Sequence, residues 1–314
     1  MDIHLMQRNQ SHTDSIVWNG LTWIDISFPT QAESDYLERE YRFHPLTLED
    51  SLSRGQLSKV DEYENYLLLV LHFPSMKDNR IVKSIWLTSI IGDNYIITLH
   101  DDYPELTCLF ESCRKNEETK REYFKDGSGY LIYRIIDSLI EYSFPILNNL
   151  LTQMDNIEDS VFDETGNDTQ AISTLRRDII IFRRIIGPVK LVIRDLKIKV
   201  KPFTDHDLDI YFDYLIDHFN RIWDNLEESK EVIEVFKDSD FVLVTNRINR
   251  IVQTLTIMSS ILLPFLVVSS IYGMNVNLPG GIERGSLASF GVILGIMLLI
   301  SGMMLYFFRR RRWI

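Results

Sequence analysis

The sequence predicts an α+β soluble domain joined by a long helical stalk to two C-terminal transmembrane helices. Three observations predict it. Two uncharged runs, residues 251–282 and 285–308, are separated only by Glu283 and Arg284, and each exceeds the roughly 20 apolar residues that a membrane crossing needs. Everything ahead of them is polar and acidic, so that the 314-residue chain carries a formal charge of −12. Within that body the apolar period changes near Gly129, from alternation broken by turns to steps of three and four.

Taken in order, Ile16-Val17-Trp18, Asn19-Gly20 and residues 21–26 read as strand, turn and strand. Thr30 followed by Glu33 forms a capping box for a helix running to about Tyr41, and residues 43–50 read as a short helix. Residues 67–73, 81–90 and 95–99 are rich in β-branched and aromatic side chains, with Gly92-Asp93-Asn94 as a turn. Residues 1–127 are therefore assigned to a mixed α/β domain. Residues 130–163 carry Leu131, Ile135, Leu139, Tyr142, Ile146, Leu150 and Met154 at helical steps, with a bend expected at Pro145. After the turn Gly166-Asn167-Asp168, residues 169–200 repeat the pattern, with a local kink expected at Gly187-Pro188. Residues 128–204 thus form an antiparallel helical hairpin.

Asp205 is the expected cap of a third helix, residues 205–271, which meets neither Pro nor Gly before Pro264. At 1.5 Å per residue it measures about 100 Å. One small domain cannot cover so long a stripe, which predicts self-association around an axis. Residues 272–285 form a loop, 286–308 the second span and 309–314 a basic tail. Gly291 and Gly295 make a small-residue pair expected to pack on the first span.

The acidic balance excludes nucleic acid as a partner and suits a protein that gathers cations. The first 15 residues have no apolar core of a secretory signal, so the body is expected in the cytosol. Arg309 to Arg312 with Trp313 hold the C-terminus there too: a two-pass protein of the cell (inner or plasma) membrane, with both termini cytosolic and the loop facing outward. Cys108 and Cys113 fit no zinc or redox spacing and read as reduced thiols. The seven histidines make no i, i+4 pair on one helix face. No phosphate loop, HExxH or nucleophile motif is present, so neither an enzyme nor a cofactor is expected.

Stepping back from Ser270 by 3.6 residues gives Leu266, Leu263, Ser259, Thr256 or Leu255, Val252 and Asn249 on one face. With several copies around an axis this face lines a pore, apolar in the middle and polar at its ends; otherwise it meets lipid or a neighbour. Two acidic groups stand out, Asp155, Glu158, Asp159, Asp163, Glu164 and Asp168 at the hairpin tip, and Asp205, Asp207, Asp209, Asp213 and Asp217 at the start of the stalk. Each is either a solvated helix face or a place where a divalent ion bridges carboxylates of neighbouring subunits.

Four features then occur together: Tyr272-Gly273-Met274-Asn275 ending the first span, a short loop, a second span and a basic terminus. With His44-Pro45-Leu46, Glu49-Asp50, Gln56, Lys59 and Glu64-Asn65-Tyr66 in the body, and Leu175-Arg176-Arg177, Pro188, Tyr211-Phe212 and Asp217-His218 further on, the chain resembles CorA-type divalent cation transporters over nearly its whole length. The resemblance implies a homopentameric funnel in the lipid bilayer that passes Mg²⁺, with Co²⁺ and Ni²⁺ as further substrates. It makes Tyr272, Gly273, Met274 and Asn275 the outer selectivity filter, acting on a hydrated ion. Asn249, Val252, Leu255, Thr256, Ser259, Leu263, Leu266 and Ser270 become pore lining and gate, and the stalk aspartates the candidate regulatory Mg²⁺ sites. Tyr214 stands where the family has an acidic residue, which leaves the regulatory site either shifted to Asp213 or absent. Leu266 and Ser270 depart from the family's pore-facing Thr and Gly. Two alternatives remain open, a Zn²⁺ transporter of the same fold (ZntB-like) and a membrane-anchored scaffold or sensor.

Overall fold

The computed structural model describes residues 11–77, 81–162, 169–204, 206–274 and 287–311. They belong to two compact units, Met1–Lys237 and Asp238–Ile314.

The first unit is built on a six-stranded mixed sheet. Its strands are β1 (His12–Trp18), β2 (Leu21–Ser27), β3 (Lys59–Glu62), β4 (Tyr66–Lys77), β5 (Ile81–Gly92) and β6 (Tyr95–His100), in the order β1-β2-β6-β5-β4-β3. Only β2 and β6 run parallel. Asn19 and Gly20 both take positive φ (48° and 82°), the backbone that a two-residue hairpin turn demands. In β4, Leu67 to Leu71 are buried on both faces of the sheet, which is why that run shows no alternation.

Helices α1 (Gln31–Tyr41) and α2 (Pro45–Leu52) cover one face, over Ile24, Ile26, Leu68, Val70, Ile90 and Ile97. The capping box at Thr30 forms as expected, with the Thr30 amide donating to Glu33 Oε2 at 2.8 Å. The other face carries the larger core, from Trp23, Leu67 and Leu69 out to Phe236, under α3 (Pro104–Lys115), α4 (Glu117–Tyr123), α5 (Gly127–Glu141), α6 (Ser143–Phe162) and α7 (Thr169–Lys199).

One local expectation changes. The helix read over 130–163 is two helices that break at Tyr142, and Pro145 falls in the first turn of α6, where a missing N–H costs no ladder bond. Gly187-Pro188 lies inside α7, which continues through it to Lys199. There the glycine serves packing, because a Cβ would come within 3.0 Å of the Trp223 ring. Trp223 in turn lies beneath the Arg183 guanidinium and the Lys190 ammonium, 5.1 and 5.8 Å from its centroid.

The last two helices are α8 (Asp209–Gly273), 65 residues long, and α9 (Leu287–Arg310). Asp205, the expected cap of α8, lies outside the described residues. The helix opens at Asp209, whose amide donates to the Asp207 carboxylate at 2.9 Å.

Candidate functional site

In the second unit, two stretches are long and apolar enough to cross a membrane, Val244–Gly273 on α8 and Gly291–Arg310 on α9. Each carries one stripe of reduced exposure. On α8 it is Gln253, Ile257, Ser260, Ile261, Pro264, Phe265 and Val268; on α9 it is Ile293, Met297, Ile300, Ser301, Met304 and Phe308. Both follow the three-and-four spacing of a helix–helix seam, and among the described residues of this unit each helix is what the other has to pack against. Gly291 and Gly295 are not on that seam. Both are exposed, and among the described residues nothing lies within 4 Å of where a Cβ would stand, so the expected close glycine contact with the first span is not seen among them.

All eight residues expected to face an axis lie away from the seam. Asn249, Val252, Leu255, Thr256, Ser259, Leu263, Leu266 and Ser270 are exposed in the chain. Their helical phase lies roughly opposite the seam stripe at 100° per residue. Leu263 and Leu266 are 59% and 69% exposed, a poor surface to show water. Thr256 donates its hydroxyl proton to the Val252 carbonyl at 2.7 Å. Its oxygen therefore faces outward as an acceptor, the polarity that waters around a cation require, since their hydrogens point away from the ion.

At the outer end, Tyr272 and Gly273 form the last residues of α8, and the Met274 amide donates to the Ile271 carbonyl at 3.2 Å. Asn275, the fourth residue of the expected filter, lies outside the described residues. Among the described residues nothing lies within 4 Å of where a Gly273 Cβ would stand.

Of the stalk aspartates, Asp213 accepts from Lys197 at 2.7 Å and Asp209 pairs with Lys201 at 3.1 Å. The Asp213 bond holds the Lys197 ammonium above its usual pKa. Asp217 is exposed. Asp155, Glu158 and Asp159 at the hairpin tip are exposed too, whereas Asp163, Glu164 and Asp168 lie outside the described residues. Among the described residues no three acidic, His or Cys side chains meet closely enough to hold a metal ion; Asp207, Asp209, Asp213 and Asp217 do not converge within one chain.

Two polar groups in the body carry chemistry that the sequence reading passed over. Asp50 accepts from Gln56 and from Lys59, both at 2.6 Å, and Lys59 also bonds Asp61 at 2.7 Å. Asp137 on α5 and His218 on α8 are a second pair. Asp137 Oδ1 and His218 Nδ1 are buried without hydrogen-bond partners. The His218 ring lies 4.1 Å from Tyr214 and 5.5 Å from Phe144. Burial pushes the Asp137 carboxyl up, against the pull of Arg134. The signal was an aspartate on an apolar helix face, between Ile136 and Ile140.

A protein-family model described as "CorA-like Mg2+ transporter protein" matches residues 18–310. The "Cobalt/magnesium transport protein CorA" of Thermotoga maritima is 28% identical over 300 residues, covering 93% of this chain and 83% of that protein. The complete structure of the CorA magnesium transporter from Methanocaldococcus jannaschii superposes with a TM-score of 0.79 at 24% identity, over 96% of this chain and 94% of that one. The cytoplasmic domain of ZntB from Vibrio parahaemolyticus shares the fold at a TM-score of 0.54 and 15% identity, over 73% and 88%.

Proposed function

The chain belongs to the CorA-like Mg²⁺ transporter family, and from that premise we propose that five copies form a potential-driven Mg²⁺ uptake channel, with Co²⁺ and Ni²⁺ as further substrates. One observation carries the reading. The face of α8 that would line an axis is its exposed face, and the stripe of reduced exposure lies on the other side of the helix. A lone hairpin would leave this face to lipid. A ring of copies makes it the pathway.

Mg²⁺ binds six waters tightly and gives them up reluctantly. The proposed lining has no carboxylate to replace them, only hydroxyls, amides and carbonyls. It therefore suits an ion that passes with water around it. Gly273 and Asn275 offer carbonyl oxygens to the outermost waters, and the C-terminal end of α8 brings the negative end of its peptide dipole to the same place. Val252, Leu255, Leu263 and Leu266 form the apolar constriction, which conducts when widened and wet. A divalent ion gains about 4.6 kcal/mol per 100 mV on entry, twice the value for one charge. No chemical fuel is needed.

Such a pathway overfills a cell unless the internal ion closes it. The stalk aspartates Asp205, Asp207, Asp209, Asp213 and Asp217 are the proposed sensor, bridged between neighbours by Mg²⁺. Lys197 and Lys201 hold two of them in the free chain. The ion would thus compete with built-in ammonium groups, setting a threshold. The arginines from Arg309 onward support a cytosolic side for both termini.

Proteoliposome flux with a clamped potassium diffusion potential tests the proposal. Mg²⁺ entry should follow the potential, and Asn275→Ala should abolish it while leaving assembly intact. Full flux in that variant would remove the filter assignment. Zn²⁺ transport driven by a proton gradient, with no Mg²⁺ entry, would assign the chain to the zinc reading instead. A monomer inert in flux would leave a membrane-anchored scaffold.

A further inference from the structure

Every basic residue of the membrane unit is an arginine. Residues 238–314 hold seven arginines, three acidic residues and no lysine, although the chain has 33 basic residues in all. On α8, Arg247 and Arg250 stand just before the first uncharged run; on α9, Arg309 and Arg310 end the helix, and Arg311 follows in the next turn. All five are exposed. No Asp or Glu occurs between Phe241 and Met274 or between Leu287 and Arg311.

Along the helix axes, Arg250 is about 36 Å from Met274 and Arg309 about 33 Å from Leu287. Both distances just exceed a hydrocarbon layer of about 30 Å. If both helices span that layer, each set emerges just beyond it, in reach of headgroup phosphates. Arg311 lies over the Phe307 ring at 5.6 Å, and Tyr306 and Phe307 are exposed beside it. This is an aromatic shelf of the kind that settles at the acyl boundary.

Orientation by charge alone would accept lysine as readily as arginine. What arginine adds is a planar fork that takes two oxygens of one phosphate. We propose that this band binds the phosphate headgroups of anionic phospholipids in the leaflet that it faces. Its role follows from the other unit, where residues 1–237 hold 42 acidic and 26 basic side chains. A negatively charged leaflet repels such a body, and headgroups held by the arginines offset that repulsion at the point of attachment. The inference rests on reading α8 and α9 as membrane spans.

Trp313 is the sole tryptophan of residues 238–314, which makes lipid selectivity measurable on the whole protein. With Trp18, Trp23, Trp86 and Trp223 changed to Phe, the protein is reconstituted in phosphatidylcholine mixed with brominated phosphatidylglycerol or with brominated phosphatidylcholine. Quenching of Trp313 should show at least about threefold preference for the anionic lipid, since each arginine near the surface is worth roughly fivefold. The preference should fall as KCl is raised, and should vanish in R309Q/R310Q/R311Q. Equal quenching by the two lipids would overturn the proposal, as would a preference that survives the triple substitution. If the tryptophan changes or the triple substitution prevent assembly, native mass spectrometry of the unaltered protein and of R250Q, counting retained anionic lipids, decides in the same way. Displacement of the lipid by millimolar inorganic phosphate would assign the band to soluble anions and overturn it. No quenching by either lipid would instead refute the membrane reading on which it stands.

Discussion

His100 shows how much one buried side chain can tie to pH. It is fully buried on β6, with Nε2 3.2 Å from Asp25 Oδ2 and Nδ1 2.5 Å from the Asp101 carbonyl. Both neighbours accept hydrogen bonds, so the ring satisfies both only when it carries two protons. Burial opposes that charge, but the Asp25 bond and charge outweigh it and hold the His100 pKa above the ordinary 6.5. A group whose folded pKa is raised stabilises the fold fully below its unfolded value, and the contribution is lost as pH rises through the folded value. Thermal stability of the first unit should therefore decline as pH climbs above about 6.5, by a charge-assisted bond's worth, on the order of 2 kcal/mol. His100→Gln should flatten that part of the profile, and an unchanged slope in its melting curves would refute the assignment. Asp137 carries the opposite lesson. Its raised pKa means that the ionised form is costly in the fold, so Asp137→Asn should raise the melting temperature at pH 7 by about 1–3 kcal/mol equivalent. A fall would mean that the attraction of Arg134 outweighs the cost of burying the charge. Neither residue was legible as such in the sequence, because burial and pairing depend on which strand or helix lies alongside.

Among the elements, those with local causes were readable in advance. Asn19-Gly20 announces a hairpin and Thr30 with Glu33 a helix start, since both act within four residues. The missed elements have causes at a distance. β3 is four residues long and carries Lys59, Asp61 and Glu62, the charges of a protected sheet edge rather than an apolar alternation. A bend was expected at Pro145, yet the break falls at Tyr142 and Pro145 sits in the first turn of α6, where proline is tolerated. Gly187 makes room for Trp223, a residue 36 positions on. Gly187→Val should cost about 1–3 kcal/mol by forcing that ring aside, read as a lower urea midpoint with an unchanged slope. Retention of full stability would mean that Trp223 has a second place to go. On α8 the expected axis-facing stripe was drawn from helical period alone, whereas the failed glycine contact on α9 shows the limit of motif spacing. Period places a residue on a face, but burial, as at Ile293 and Met297, decides which face is covered.

At the scale of the molecule, the solvent change was the plainest signal in the chain, because a bilayer needs long uncharged runs and a cytosolic body needs charge. How copies meet is a property of surfaces that a single sequence records only indirectly. It is there that Lys197 makes the sensor proposal testable. In the free chain Asp213 is neutralised by Lys197 at 2.7 Å, a solvent-screened pair that holds the carboxylate only weakly. A divalent ion shared between subunits has only that modest competitor to displace. Removing it should free the carboxylate, so Lys197→Gln should lower the Mg²⁺ concentration for half-maximal protection of the body from protease by up to about fivefold, and close the channel at correspondingly lower internal Mg²⁺. Asp213→Asn should move both in the opposite direction. Because protection and flux are separate readouts of one equilibrium, they must shift together. A Lys197→Gln protein with altered flux but unchanged protection would place the sensor elsewhere in the chain.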